Sequence, residues 1–263
     1  MSQSVGVVLP AYDPAVDTLA AYVHALHEAV APDVVRIELD SPDEATLAGL
    51  TDVDATVNAV DSRRGKGAAI TAGFEALADD MDVLAFADAD GATPAESIAD
   101  VVAAVREGGA DLAVGSRRHP DANVKSHQTF ARRYLGDGFA WLARTLLDVS
   151  LYDFQCGAKA ITTDAWREVR SHLYEPAFAW DVELIAVASA HSLQIVEVPV
   201  TWLDQPDSTV SPISTPLELG RCLLRSRHRL KQLRGNSMHE AIADHRTNRI
   251  ALVDRAYGDV EEQ

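Results

Sequence analysis

Cysteine is nearly missing from this 263-residue chain: Cys156 and Cys222 are the only two, far apart and in no CxxC or zinc spacing. A disulfide framework and a zinc ribbon are thereby excluded, and free thiols in a reducing compartment are the expectation. No uninterrupted apolar run is long enough to span a bilayer, and no basic-then-apolar leader precedes the strand-like Val5 to Leu9. The expectation is therefore a soluble intracellular protein. Lysine is scarce too, with Lys66, Lys125, Lys159 and Lys231 the only four among 23 basic residues. Against 40 acidic residues this leaves a formal net charge of −17, so repulsion from phosphate backbones excludes generic nucleic-acid binding. No internal repeat and no low-complexity segment occurs, which sets aside solenoids and flexible arrays.

What is present is a 47% hydrophobic chain, enough for a sizeable core. The preference for Arg over Lys with an acidic excess resembles proteins of salt-loving archaea, where molar salt shrinks the Debye length to about 3 Å and screens self-repulsion. Strand-like and helix-like patterns alternate from the start. Val5 to Leu9 is followed by a helix with Leu19, Tyr22, Val23, Leu26 and Val30 on one face. Strands at Val34 to Glu38 and Ala55 to Val60, a helix from Gly67 to Leu77, the strand Val83 to Phe86, a helix from Ala95 to Glu107 and the strand Leu112 to Gly115 complete a βαβ series. Such a series predicts an α/β fold with a mostly parallel central sheet and helices on both faces. After Gly115 the rhythm becomes mixed, with a helix around Arg132 to Leu147 and a Pro-rich loop over 203–216. The expected organisation is a domain over 1–216, its 1–115 half nucleotide-binding and its 116–216 half building an acceptor site, followed by a basic helix and peripheral tail over 217–263.

In Phe86-Ala87-Asp88-Ala89-Asp90-Gly91 a buried strand ends in two carboxylates. They fall at the carboxyl edge of the sheet, where α/β proteins place ligands. Alternation points residues two apart the same way, so Asp88 and Asp90 can reach one divalent ion whose other positions go to water and phosphate oxygens. The plainer reading, that they cap the next helix or turn, competes. Pro10, Tyr12 and Asp13 lie at the same edge. The segment Arg63-Arg64-Gly65-Lys66-Gly67 opens a helix, offering amide N–H groups, a positive helix end and a lysine to a diphosphate. It is neither a Walker loop nor GxGxxG.

Taken together, VVLPAYD, RRGKGAAITAGF, FADADGATP, VGSRRH, DFQCGAK, AFAWDVELIAVA and VPVTWLD resemble, in order and spacing, the family 2 glycosyltransferases of the Rossmann-like GT-A fold. More narrowly, the chain resembles dolichyl-phosphate glucosyltransferases, with dolichyl-phosphate mannose synthases as near relatives; the match covers roughly residues 4 to 230. The resemblance implies a metal-dependent, inverting transfer of a hexose to dolichyl or polyprenyl phosphate, for protein N-glycosylation or surface polysaccharide assembly. The donor would be UDP-glucose or GDP-mannose, with glucose preferred. It further implies Mg²⁺ or Mn²⁺ on Asp88 and Asp90. Pro10, Tyr12, Asp13, Asp40 and Lys66 would lie around the nucleotide, with Gln155 and Cys156 by the sugar. Asp181 and Glu183 of WDVE match a motif used near the acceptor, and Asp181 competes with a role as helix N-cap. Relatives usually read VVDDGSTD where this chain has Ile37-Glu38-Leu39-Asp40-Ser41-Pro42-Asp43, so the carboxylate that reads the base is either Glu38 or Asp40.

A lipid phosphate is largely ionised near neutral pH and is itself a nucleophile, so the site must manage charge rather than remove a proton. Cations must separate the acceptor phosphate from the donor diphosphate. Arg117, Arg132 and Arg133 are the candidates, because guanidinium grips phosphate bidentately; Arg117, Asp90 and Asp181 form the expected catalytic group. Between Glu218 and Glu240 no acidic residue interrupts a block of six Arg and Lys. On a helical wheel Leu219, Cys222, Leu223, Leu230 and Leu233 form an apolar stripe, with Arg221, Arg225, His228, Arg229 and Lys231 on the other sides. Helix 217–234 therefore lies on an anionic membrane surface at the cytoplasmic face, with or without a membrane-protein partner, or packs its stripe on the core, and both hold if one face serves each purpose. The rival classes are a transferase acting on a lipid-linked glycan and a catalytically silent module that binds nucleotide or tethers a membrane complex.

Overall fold

The computed structural model describes residues 3–125, 138, 142–147, 149–203, 216–235 and 250–255. Seven strands form one sheet in the order β3 (Thr56–Val60), β2 (Val34–Asp40), β1 (Val5–Tyr12), β4 (Val83–Ala87), β7 (Ala158–Thr162), β5 (Leu112–Ser116), β8 (Ile195–Pro199). Only β7 runs antiparallel to its neighbours, wedged between β4 and β5. A parallel pair, β6 (Asn123–Lys125) and β9 (Thr201–Leu203), forms a second small sheet. Helices α1 (Val16–Ala29), α3 (Lys66–Leu77) and α4 (Ala95–Arg106) alternate with the first strands as the periodicity predicts, a short α2 (Glu44–Gly49) that the pattern did not indicate lies between β2 and β3, and α5 (Thr163–Val169), α6 (Trp180–Ala190) and α7 (Pro216–Leu233) follow. The doubly covered, mostly parallel α/β sheet is the expected fold class.

Period-two alternation sends side chains to two cores. Val8, Leu84, Phe86 and Val114 join Phe74, Trp166 and Trp180 on one face. Val7, Leu9, Ile37, Val83 and Ala85 meet Leu19, Val23, Leu26 and Ile98 on the other. Beyond Val8 strand β1 outruns β4, while its pairing with β2 continues from Pro10↔Glu38 to Tyr12↔Asp40. Pro10, which has no N–H to donate, sits where β1 has become an edge toward β4.

The helix expected over 217–234 exists, beginning one residue earlier at Pro216. Leu223 and Leu230 are wholly buried, Leu233 packs against the same core, and α7 lies against α6. These three leucines of the stripe serve the core, as one of the two readings requires, while the side chains of Leu219 and Cys222 lie outside the described residues. Among the described residues no helix is long and apolar enough to cross a membrane. Arg132, Arg133 and most of the 203–216 loop lie outside the described residues.

Candidate active site

The Asp88-Ala89-Asp90 turn follows β4 directly. Gly91 has φ +65° against the Tyr22 ring, a conformation that favours glycine. The Tyr22 hydroxyl donates to the Thr93 carbonyl at 2.7 Å and Leu203 N–H to the Ala92 carbonyl at 2.8 Å, which fixes the turn from both sides. Asp90 Oδ1 accepts from Ala92 N–H at 3.0 Å, while α4 has Pro94 as its N-cap with no side-chain cap. The acidic pair therefore shapes its own turn and does not cap the following helix.

Asp88 is held from three directions. Its N–H donates to the Gly157 carbonyl at 2.9 Å. Lys66 Nζ stands 2.8 Å from Oδ1, and Oδ2 lies so close over Gly157 that an added Cβ would come within 1.8 Å of it. Lys66 in turn reaches Asp181 Oδ2 at 3.4 Å, and Lys159 Nζ reaches Asp181 Oδ1 at 2.5 Å and the Cys156 carbonyl at 2.7 Å. Two ammonium groups and two carboxylates thus form a quartet of zero net charge. Burial works against the Lys66 charge, but Asp181 and Asp88 outweigh it and hold its pKa above the ordinary value. Burial likewise opposes ionisation of Asp88 and is overcome by Lys66, Arg117 and Lys159, leaving its pKa below the usual carboxylate range. Asp90 differs: burial and then the negative charge of Asp88 raise its pKa.

Asp181 is not an N-cap. It lies in the first turn of α6, whose N-cap is Ala179 without a side-chain bond, and its oxygens face the two lysines. Its neighbour Trp180 is fully buried against Phe74 and Phe86 and donates from Nε1 to Thr71 Oγ1 at 3.1 Å. Gly67 makes room for it, since a Cβ there would meet Trp180 at 2.5 Å. The WDVE and RGKG motifs are therefore locked together by packing. Glu183 accepts from the Tyr174 and Glu175 N–H groups at 2.7 and 2.9 Å, and burial nevertheless pushes its carboxyl up to about 7.

Three amides around the start of α3 are engaged by protein. Arg64 N–H and Gly65 N–H donate to Asp40 Oδ2 at 2.8 and 2.9 Å, Arg64 Nε donates to Asp40 Oδ1 at 2.8 Å, and Ala68 N–H donates to the Pro176 carbonyl at 3.0 Å. Two amides of the segment expected to form an anion cradle, those of Arg64 and Gly65, are thus taken by Asp40, and Lys66 is its side chain that faces Asp88. Asp40 is buried and bound to the Arg64-Gly65 loop; Glu38 is fully buried against Arg36, Arg64 and Asn58. Neither presents a carboxylate to the opening beside them, a cavity of about 200 Å³ lined by Tyr12, Asp13, Pro14, Ser41, Pro42, Asp43 and Thr46. Arg63 lies 3.9 Å over the Tyr12 ring, a cation–π contact at this rim.

Arg117 directly follows β5 and is gripped bidentately by Asp153, Nε to Oδ2 at 2.7 Å and Nη2 to Oδ1 at 3.1 Å. Burial opposes its charge, but Asp153 overrides burial and raises the Arg117 pKa, and Arg117 in return keeps Asp153 well below the usual carboxylate range. The grip is itself supported: Asp153 Oδ1 accepts Gln155 N–H at 3.0 Å, and Glu197 on β8 accepts Asp153 N–H at 2.8 Å. Cys156 is fully buried and its thiol pKa is pushed up to about 12, first by burial. Asp153, Gly157 and Lys159 are site residues that the sequence reading did not single out. For Lys159 a signal existed: in a chain of four lysines it follows QCGA and enters an apolar run.

No cluster of three or more His, Cys, Asp or Glu among the described residues suits a metal. The hard oxygens of Asp88 and Asp90 do suit one, and a divalent cation would relieve the repulsion that raises Asp90.

The family model described as glycosyl transferase family 2 matches residues 7–150. Among curated proteins, the chain is 29% identical over 235 residues to glycosyltransferase AglD of Haloferax volcanii, covering 84% of this chain and 36% of that protein. It is 33% identical over 187 residues to dolichyl-phosphate beta-glucosyltransferase of Mus musculus, covering 65% and 56%. The chain thus spans about half or less of these relatives' length. Glucosyl-3-phosphoglycerate synthase from Mycobacterium tuberculosis, crystallised with Mn²⁺, UDP-glucose and phosphoglyceric acid, aligns with a TM-score of 0.60 at 17% identity, covering 89% of this chain and 80% of that one. That likeness is one of fold, and it places the sheet described above in the GT-A class.

Proposed function

The chain belongs to glycosyl transferase family 2, and on that premise we propose that it transfers a hexose, glucose, from UDP-glucose to dolichyl or another polyprenyl phosphate. The observation that carries the reading is the Asp88 and Asp90 pair at the carboxyl edge of β4, facing Lys66. The names of the mouse and Dictyostelium discoideum relatives, both dolichyl-phosphate beta-glucosyltransferases, supply the acceptor and the sugar. Asp88 and Asp90 would hold Mg²⁺ or Mn²⁺, which when bound supplies positive charge to the departing diphosphate.

Lys66 adds a cation beside the same diphosphate. The cavity between Tyr12 and Thr46, with Arg63 stacked at its rim, takes the nucleoside. Arg117, oriented by Asp153, meets the acceptor phosphate with the guanidinium face that Asp153 leaves free. The ionised phosphate oxygen attacks the anomeric carbon directly, so one displacement inverts the centre without a general base. Asp181, with both oxygens on lysines, acts as a counterion in this scheme.

Access to the lipid is through α7, on which Leu223 and Leu230 are buried while Arg221 and Leu224 are exposed, Leu224 at 61%. The enzyme then works at the cytoplasmic face of the membrane, alone or with a membrane-protein partner. The test is transfer of label from UDP-glucose or GDP-mannose into archaeal lipid extract by the purified protein. Label from UDP-glucose in an acid-labile lipid is expected. Label entering protein or water, or coming only from GDP-mannose, refutes the assignment.

A further inference from the structure

Lys66 Nζ lies 2.8 Å from Asp88 Oδ1 and 3.4 Å from Asp181 Oδ2, so one ammonium is shared unequally between two carboxylates. The other Asp88 oxygen lies over Gly157. In this arrangement the position from which a cation would approach Asp88 Oδ1 already holds a positive charge, with Arg117 and Lys159 adding to the field at Asp88. Asp181 is the second seat for that ammonium. It is 3% exposed, and Lys159, bound to its other oxygen and to the Cys156 carbonyl, holds it in place.

We propose that Lys66 is a transferable counterion that couples cation binding to diphosphate binding. In the free protein it stands on Asp88 in place of a metal. When a divalent cation arrives with a diphosphate, Lys66 leaves Asp88 for Asp181 and the phosphate oxygens, and Asp88 becomes available. Cation and diphosphate therefore bind as a pair, and neither alone displaces the lysine efficiently. The coupling rests on the reading of Asp88 as a cation ligand, and it gives Asp181 and Lys159 a positioning role separate from any contact with acceptor.

The test is Mn²⁺ binding followed by electron paramagnetic resonance, which needs no turnover. Wild type is expected to bind free Mn²⁺ at least about tenfold more weakly without UDP than with it, since an ammonium beside the same oxygen opposes the ion. Lys66→Gln and Lys66→Met are expected to raise the UDP-free affinity at least about tenfold and to shrink the difference that UDP makes. Asp181→Asn is expected to weaken Mn²⁺ binding in the presence of UDP, and that effect should vanish in the Lys66→Gln background. An Asp181→Asn effect of equal size with and without Lys66 overturns the proposal, because it would mean a through-space field and no lysine transfer. So does unchanged Mn²⁺ affinity in both Lys66 variants; the Lys66 arm stands alone if Asp181→Asn does not fold. Should Asp88→Asn leave binding with UDP intact, the reading of Asp88 as ligand fails, and the proposal with it.

Discussion

Glu183 offers a prediction whose size can be worked out from its surroundings. The residue is 5% exposed, and burial raises its pKa from an ordinary 4.5 to about 7 although two amide N–H groups favour the charged form. Because the folded pKa lies above the unfolded one, the folded chain binds more protons across that interval. The contribution of this group to stability is fully present below pH 4.5 and lost as pH rises through about 7. At about 1.4 kcal/mol per pH unit, the interval corresponds to about 3 kcal/mol. Glu183→Gln keeps the shape and cannot ionise. Urea unfolding of wild type and Glu183→Gln from pH 4 to 8.5 at constant high salt should therefore show the variant gaining on wild type by about 3 kcal/mol across the range. Taking the difference between the two proteins removes the titration of all other groups. A difference that is flat with pH, or that moves in wild type's favour as pH rises, would refute the reasoning.

Other expectations concern the site and helix α7. Gly157→Ala places a methyl on the Asp88 carboxylate and should lower kcat at least about a hundredfold, with a loss of stability of about 1–3 kcal/mol by denaturant unfolding. Asp153→Asn leaves Arg117 without its charged partner, and kcat/KM for the lipid phosphate should fall about tenfold or more; unchanged kinetics would separate Arg117 from the acceptor. Leu230→Ala should destabilise the protein by about 2–5 kcal/mol, the range for a fully buried leucine. A much smaller loss in unfolding experiments would mean that α7 is loosely attached.

The βαβ rhythm, the strand that ends in Asp88 and the lysine after Gly65 are legible because each is local: periodicity and turn chemistry are written within a dozen residues. Strand β1 runs to Tyr12 instead of stopping at Leu9 because β2 continues beside it, and pairing with a distant strand leaves no mark on the pattern. The bond between Arg117 and Asp153 joins residues 36 apart, and the one between Lys159 and Asp181 joins residues 22 apart. Such pairs exist only once the sheet has brought the loops together. Asp40 shows the converse difficulty. Its place at the end of β2 marks a carboxylate at the sheet edge, yet its oxygens hold the Arg64-Gly65 loop, which only the folded geometry reveals.

The antiparallel strand β7 has a consequence for how the molecule is made. It separates β4 from β5, two strands that precede it in the chain by many tens of residues, so the first half emerges from the ribosome with a gap in its sheet. A fragment ending near residue 150 would leave both flanking strands with unpaired edges, open to strand exchange and aggregation. A fragment over 1–150 is therefore expected to aggregate rather than fold on its own, which expression of that fragment would check. Truncation or fusion designs for this protein need to extend beyond Thr162 before they can be expected to yield native chain.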